Sequence, residues 1–172
     1  SPHMNKINQL YMEMIRYYES DAPRIQHFVK VHSFARLIGE AEGLDEETQF
    51  TLEAAALVHD IGIGAAEKKY GFSNGRLQEQ EGPPLAEEML EALNFDRAVT
   101  ERVCYLVAHH HTYEPVDGLD YRILLEADAL VNLYEEETPA EGIRESYKHL
   151  FRTETARTVC KTMFQIEEQE ER

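Results

Sequence analysis

Residues 55–64 read AALVHDIGIG and lead from an apolar helical stripe into two glycines, with His59 and Asp60 at the junction. Leu52, Ala55 and His59 recur at a spacing that puts them on one face of an α-helix. His59 should therefore point inward, and Asp60 should follow the helix end. Burying such a pair is costly unless it is partnered. The stretch predicts a helix that delivers titratable groups to an interior site.

Helical spacing of apolar residues continues through almost the whole sequence, and no stretch shows a convincing alternating β pattern. It predicts an all-α, single-domain bundle of about seven helices. Between residues 62 and 84 the helical spacing is lost. The glycines and prolines there indicate a long, partly ordered loop that begins where the helix carrying His59 ends. The predicted helices cover about 6–19, 24–42, 45–59, 85–93, 96–110, 121–136, 139–151 and 153–168.

Length and charge limit the function classes. The 172 residues, 42% of them hydrophobic, suit one domain. Seventeen Lys and Arg against 33 Asp and Glu give a formal charge of -16, which repels nucleic-acid polymers and anionic membranes. Two cysteines, no apolar span and no secretory leader indicate a cytoplasmic protein. Residues 1–4 look like a vector-derived remnant, which leaves 5–172 as the domain.

Further polar residues fall on apolar faces of other predicted helices. His32 lies in a stripe with Phe28, and Asp128 lies among aliphatic residues such as Leu124. Together with His59 and Asp60 at the end of the third predicted helix, these two residues supply two imidazoles and two carboxylates. Two buried carboxylates repel each other, and a divalent cation removes that difficulty. Mixed N and O ligands suit Mn, Fe, Zn or Co better than Ca.

The order of His32, His59, Asp60 and Asp128 resembles the H...HD...D signature of the HD-domain phosphohydrolase superfamily. The resemblance covers about residues 24–136, and the HDIG at 59–62 is a frequent form of the central motif. The segments EGPPLAEEML, AHHHTY and EADALVNLYE are similar to those of small bacterial members that are uncharacterised hydrolases.

This resemblance implies an all-α fold in which the four motif residues bind a divalent metal (Mn, Fe, Co, Zn or Mg). It implies hydrolysis of a small phosphate ester, a nucleotide or another phosphomonoester, by a metal-activated water that Asp60 helps to orient. Glu67, in the predicted loop, is a candidate general acid or base once substrate orders it.

Several residues are candidates for contact with substrate phosphate. Arg36 follows His32 by one turn, and Lys68, Lys69 and Arg76 lie in the predicted loop; a solvated surface charge is the alternative for each. We retain Arg36 as a binding residue and Lys68 as a catalytic one.

A second metal is the other alternative near this site. His109 and His110 fall where two-metal members carry a ligand pair, although histidines at a helix end also interact favourably with its dipole. Those members usually have another His in the preceding loop, where this chain has Gln78 with Glu79 and Glu81 alongside; Glu81 substitutes for that His if the loop folds over the site. We therefore expect one ion rather than two, with His109 and His110 near substrate.

Three functions remain open at this point. The first is a metal-dependent phosphohydrolase acting on a small phosphorylated substrate. The second is a dinuclear-iron oxygenase, and the third is a metal-stabilised, non-catalytic ligand-binding or regulatory domain. The first and last helices can pack on the core or pair with another copy, and a homodimer is the commoner arrangement.

Overall fold

The structure is a computed structural model that describes the backbone of residues 2–167 and the side chains of residues 6–167. Within these residues all regular structure is helical, which confirms the all-α prediction, with nine helices rather than about seven. Ser1 and the side chains of Pro2–Met4 lie outside the described residues, so the vector-derived remnant stays a prediction. The helices are α1 Pro2–Tyr17, α2 Ala22–Ala41, α3 Glu46–Val58, α4 Ile63–Tyr70, α5 Gly75–Ala92, α6 Arg97–His109, α7 Leu119–Glu135, α8 Ala140–His149 and α9 Glu154–Phe164.

Local sequence signals fix the start of α2 and α3. The Asp21 carboxylate accepts a hydrogen bond from the backbone N–H of Arg24, and Pro23 lies in the first turn, where its missing N–H does no harm. The Asp45 carboxylate accepts from the N–H of Thr48 in the same way. These caps fix where α2 and α3 begin.

The core lies around α3 and α7. All the residues from Ala54 to Val58 on α3 are buried, and on α7 every residue from Ile123 to Asp128 is buried. Helix α3 packs against α1, α2, α6 and α7, and α5 packs along α6. A polar side chain on the buried part of α3 or α7 therefore faces protein rather than water. None of the described helices is long and apolar enough to cross a membrane.

The prediction of a long loop over residues 62–84 is wrong, because α4 and the first half of α5 occupy it. Its glycines have other roles than breaking regular structure. Gly71 ends α4 in the left-handed conformation with φ 80°, and the Asn74 side chain caps α5 through the N–H of Leu77. Gly62 and Gly82 allow a close approach, since a Cβ on Gly62 would lie 2.6 Å from the Gly82 nitrogen.

Candidate metal centre

Four side chains from α2, α7 and the turn after α3 meet at one point. The Nε2 atom of His27 lies 3.2 Å from Asp60 Oδ2, 3.2 Å from Asp128 Oδ1 and 3.4 Å from His59 Nε2. His59 Nε2 in turn lies 3.2 Å from Asp60 Oδ2 and 3.3 Å from Asp128 Oδ1. Two imidazoles and two carboxylates thus face one another at the edge of the core; we call these four residues the central cluster.

Hydrogen bonds behind the rings direct the same nitrogen of each histidine into the site. His59 Nδ1 donates to the carbonyl of Ala56, three residues earlier in α3, over 2.7 Å. His27 Nδ1 donates over 2.7 Å to a carboxylate oxygen of Glu135 on α7, whose other oxygen accepts from Lys30. Nδ1 therefore holds a proton in both rings and Nε2 is left for the site, which is the usual arrangement of metal-binding histidines.

The two carboxylates of the central cluster favour positive charge on the groups beside them. Burial lowers the pKa of His27, but hydrogen bonds with Asp128 and Asp60 outweigh burial and raise it from 6.5 to about 10. The charges of Asp60 and Asp128 likewise overcome burial and raise the pKa of His59. Burial alone would raise the pKa of each aspartate, yet His59 and the hydrogen bonds hold both below their usual 3.8. In the metal-free protein, protons on His27 and His59 supply this positive charge, and a divalent ion can replace them.

The donor set fits a divalent transition metal. His27, His59 and Asp60 each offer a ligand atom within 4.8 Å of the others, and Asp128 lies beside them. Neutral imidazole and carboxylate are the ligand types of Mn, Fe, Co and Zn sites, and two carboxylates match the charge of one 2+ ion. The structure thus brings together three of the four predicted ligands: His59, Asp60 and Asp128.

The prediction for His32 is wrong, because His27 takes its place. His32 is buried on another side of α2, where Nε2 donates to Glu53 over 2.9 Å and Nδ1 accepts from the Tyr11 hydroxyl. Arg36, exposed one turn later, borders the same pocket between α1, α2 and α3 and does not reach the central cluster. These residues link α1 to the α2–α3 hairpin.

Helix pairing is the signal that identifies His27. Helices α2 and α3 run antiparallel on either side of a short turn at residues 42–45, so residues equally far from that turn lie opposite each other. His27 and His59 lie about equally far from the turn, whereas His32 falls opposite Glu53, which it contacts. Helical faces alone do not contain this information.

A second group of potential ligands shares Asp60 with the central cluster. Asp60, His110 and His111 each offer an atom within 4.8 Å of the others. His110 is buried, its Nδ1 donates to the Val107 carbonyl over 2.7 Å, and its Nε2 lies 3.5 Å from Asp60 Oδ1. The prediction of a His109–His110 pair is half wrong, because His109 stacks on Tyr105 at 4.1 Å and its Nδ1 donates to that residue's carbonyl.

Residues of α5 hold this second group. Gln78, as expected, lies next to it: Oε1 is 2.7 Å from His111 Nε2 and 3.4 Å from His110 Nε2. Glu79, which the sequence prediction missed, accepts from the His111 N–H and the Thr112 hydroxyl. Glu79 was hard to recognise because its partners are a backbone group and a loop residue. The turn that contains the histidines is thereby fixed to α5.

The other predicted site residues lie apart from both groups. Glu81 is buried but forms an ion pair with Lys69, so it does not substitute for Gln78. Glu67, Lys68 and Arg76 are exposed on α4 and α5, and no described contact joins them to the central cluster. They lie away from the site because the segment that carries them is helical and is not the loop that the sequence predicts. Their predicted roles in catalysis or binding therefore have no structural support.

A cavity of about 360 Å³ opens onto the central cluster. His27, Asp60, Asp128 and His111 form its polar floor, and Arg24 and Asn132 are part of its wall. Arg24 lies beside Asp21 at 3.5 Å and is the one Lys or Arg among the described lining residues. Arg24 thus lies at the wall of this cavity, whereas Arg36 and Lys68 do not line it.

Helix α1 supports the turn that carries Asp60. The Tyr18 hydroxyl donates to the Asp60 carbonyl over 2.6 Å, and the Tyr17 hydroxyl donates to the Ile61 carbonyl over 3.0 Å. Tyr18 is itself buried. The Asp60 carbonyl also accepts from the backbone N–H of Ile63, and the tyrosine bonds add to this turn and fix the backbone of the candidate ligand.

Comparisons with known proteins agree with this architecture. A family model described as HD domain matches residues 24–143. A crystal structure of a predicted HD superfamily hydrolase from an uncultured Thermotogales bacterium has a TM-score of 0.64 and 26% sequence identity, covering 95% of this chain and 86% of that one. Bacillus subtilis YpgQ has a TM-score of 0.64 and 17% identity, covering 96% and 93%, which shows a shared fold alone. No curated protein matches.

Proposed function

Since the chain belongs to the HD domain family, we propose that it is a metal-dependent phosphohydrolase acting on a small phosphate ester. A nucleotide or another phosphomonoester is the proposed substrate class. The observation that carries the proposal is the central cluster itself, in which two Nε2 atoms and two carboxylates lie 3.2–3.4 Å apart at the floor of a cavity. Its similarity to a structure described as a hydrolase supports the same reaction type.

His27, His59, Asp60 and Asp128 are the residues that would hold the ion. When bound there, a divalent ion supplies a Lewis acid for a phosphoryl oxygen and lowers the pKa of water from 15.7 toward about 7. Asp60 has a second oxygen, Oδ1, directed to the His110 side of the cavity. Its carboxylate is therefore placed to accept a hydrogen bond from an attacking water and to orient it.

Arg24 is proposed to bind the substrate phosphate. Its side chain borders the cavity, and a guanidinium can donate two parallel hydrogen bonds to phosphate oxygens. His111 faces the cavity from the opposite group, and burial lowers its pKa. With its pKa lowered, His111 adds little positive charge to the cavity wall.

Phosphate release tests this proposal. Metal-stripped protein is supplied with Mn, Co, Fe, Zn or Mg singly and assayed against nucleotides and other phosphomonoesters. We expect release with at least one metal, and its loss in Asp60→Ala, because that change removes a ligand and the water-orienting group. Asp96→Ala is the matched control: Asp96 is exposed and its side chain makes no capping hydrogen bond. Phosphate release by Asp60→Ala, or no release by the wild type with any combination of metal and substrate, contradicts the proposal.

Metal content, O₂ consumption and ligand retention separate the two other functions from phosphate-ester hydrolysis. A dinuclear-iron oxygenase needs two ions, and the shared position of Asp60 between two ligand groups is the observation in its favour. Two irons per purified chain together with consumption of O₂ would support it. Retention of an unhydrolysed phosphate compound, with no turnover under any metal, would instead support a ligand-binding domain.

A further inference from the structure

We propose that Asn132 recognises a hydroxyl group on the alcohol part of the substrate, so that the site prefers phosphate esters of sugars and other polyols to plain alkyl or aryl phosphates. This rests on the proposed function, since it names the substrate class of the same site. Two features of the cavity support it: the position and free amide of Asn132 beside the central cluster, and the polar lining around it.

Asn132 lies on the face of α7 that carries Asp128. The two residues are one helical turn apart, and both line the cavity of about 360 Å³. Side chains on a helix lean toward its N-terminus, so the Asn132 carboxamide leans back over the turn of Asp128. Arg24 borders the same cavity from α2, which packs against α7. With the phosphate at Arg24 and the central cluster, the alcohol part of the ester would lie beside Asn132.

The amide of Asn132 is available to a ligand. Its side chain is half-buried, and within the part of the chain that the structure describes it has no hydrogen-bond partner. The other amide that lines the cavity, Gln78, is already engaged by Ser73 and His111. A carboxamide has two donor hydrogens and one acceptor oxygen. A hydroxyl can donate to Oδ1 of Asn132 or accept from its Nδ2, and thus satisfies a group that an apolar ligand leaves unpaired.

Polar groups also dominate the rest of the lining. Of the twelve described residues that line the cavity, only Pro23 and Ile63 are apolar, and none is Phe, Tyr or Trp. Sites for apolar ligands are lined mainly by hydrophobic and aromatic side chains. An alkyl or aryl group would gain little apolar contact here and would remove the Asn132 amide from water without replacing its hydrogen bonds. A polyhydroxylated group replaces those hydrogen bonds, and Glu136 at the rim offers it a further acceptor.

Two esters with the same carbon chain test the proposal. Glycerol phosphate and propyl phosphate differ only in their hydroxyl groups, so the ratio of their kcat/KM values isolates what the hydroxyls contribute. The ratio is measured with the full chain and the metal that supports phosphate release. We expect the wild type to prefer glycerol phosphate by about tenfold or more, the effect of one hydrogen bond to a desolvated polar group.

Asn132→Leu keeps the approximate size of the side chain and removes its hydrogen-bonding groups. We expect this variant to lose most of the preference, through a lower kcat/KM for glycerol phosphate and an unchanged or higher one for propyl phosphate. Asn8→Leu is the matched control, because Asn8 is exposed on α1 and borders the separate pocket between α1, α2 and α3; it should keep the wild-type ratio. Equal values for the two esters in the wild type, or a preference that survives in Asn132→Leu, overturn the proposal.

Binding provides a second measurement, which needs neither turnover nor a variant that folds. In NMR spectra of the wild type with Mg²⁺, the side-chain NH₂ signals of Asn132 should shift on addition of glycerol phosphate and much less with propyl phosphate. Equal shifts with both esters, or no shift with glycerol phosphate, overturn the inference. Signals that shift without phosphate release under any metal would leave Asn132 as a hydroxyl-binding residue and contradict the proposed function instead.

Discussion

At the scale of single residues, the site depends on what lies behind each imidazole. His59 and His110 donate Nδ1 protons to carbonyls of their own helices, so their orientation follows from helix geometry alone. His27 instead donates to Glu135 from α7, which Lys30 neutralises. A carboxylate behind a ligand histidine fixes the ring and raises its basicity. His27 is thus the one of the three whose position depends on contact between helices.

Replacing His27 tests whether it, and not His32, belongs to the centre. For His27→Gln we expect Mn²⁺ affinity to fall by about 100-fold or more, because loss of a ligand should cost at least as much as loss of the group behind it, which costs about 10–100-fold. For His32→Gln we expect unchanged Mn²⁺ affinity and a loss of about 1–3 kcal/mol in the free energy of unfolding, because Glu53 and Tyr11 lose their buried partner. Calorimetry and urea denaturation measure the two quantities. Equal losses of affinity would contradict the assignment.

His27 also shows how far sequence reasoning reaches. Helical periodicity correctly directed His59 and Asp128 inward, because the last turns of α3 and the middle of α7 are buried. Periodicity could not choose between His27 and His32 on α2, because both make polar contacts with other helices. His27 contacts α7, whereas His32 contacts α1 and α3. That choice depends on the position along the α2–α3 pair, which is a property of tertiary structure.

At the scale of elements, two glycines join α5 to the turn that follows α3. A Cβ on Gly62 would lie 2.6 Å from the Gly82 nitrogen and 2.9 Å from the Gln78 carbonyl oxygen, both of them backbone atoms that cannot rotate away. Asp60 and Gln78 are therefore held in register by backbone contact. The geometry between the central cluster and the second group follows from this contact.

Alanine at this contact should weaken both the fold and the site. For Gly62→Ala we expect a loss of about 1–3 kcal/mol in the free energy of unfolding, as for overpacking elsewhere. Gly64→Ala is the control, because a Cβ there meets nothing within 4 Å and alanine favours helix α4. It should leave stability unchanged or raise it by up to about 1 kcal/mol. Thermal and urea unfolding check both, and equal effects would contradict the close approach.

The same glycines explain why the sequence prediction failed over residues 62–84. Glycine is a helix breaker in isolation, and five in this stretch outweighed the weak periodicity of the residues between them. In the structure, Gly71 and Gly75 mark helix ends, and Gly62 and Gly82 serve packing. A role in packing between elements distant in sequence cannot be recognised from local pattern.

At the scale of the whole molecule, the central cluster makes stability depend on pH and metal together. Without metal, the raised pKa values of His27 and His59 add stability that is complete below about pH 6.5 and is lost as pH rises through the raised pKa values, that of His27 being about 10. The lowered pKa values of Asp60 and Asp128 add stability that is present above about pH 3.8 and is lost as pH falls. Metal-free protein should therefore be most stable between about pH 4 and 6.5.

A divalent ion should remove the alkaline loss, because it replaces the protons on the two Nε2 atoms. We expect the increase in Tm caused by Mn²⁺, relative to EDTA, to grow from pH 6 to pH 9. Thermal melts across this range measure it, and Asp60→Ala should abolish the increase. An increase that is constant or shrinks with pH would contradict ion–proton exchange at the central cluster.

Helix α1 lies before residue 24, where the match to the family begins, yet Tyr17 at its end and Tyr18 just after it donate to the carbonyls of Ile61 and Asp60. Docking of α1 and binding of an ion to Asp60 therefore involve one segment of backbone, and the two equilibria are thermodynamically linked. By reciprocity, whatever factor docking of α1 contributes to ion affinity, the ion returns to the docking of α1. The first helix would in this sense act as a covalently attached effector of the candidate metal centre.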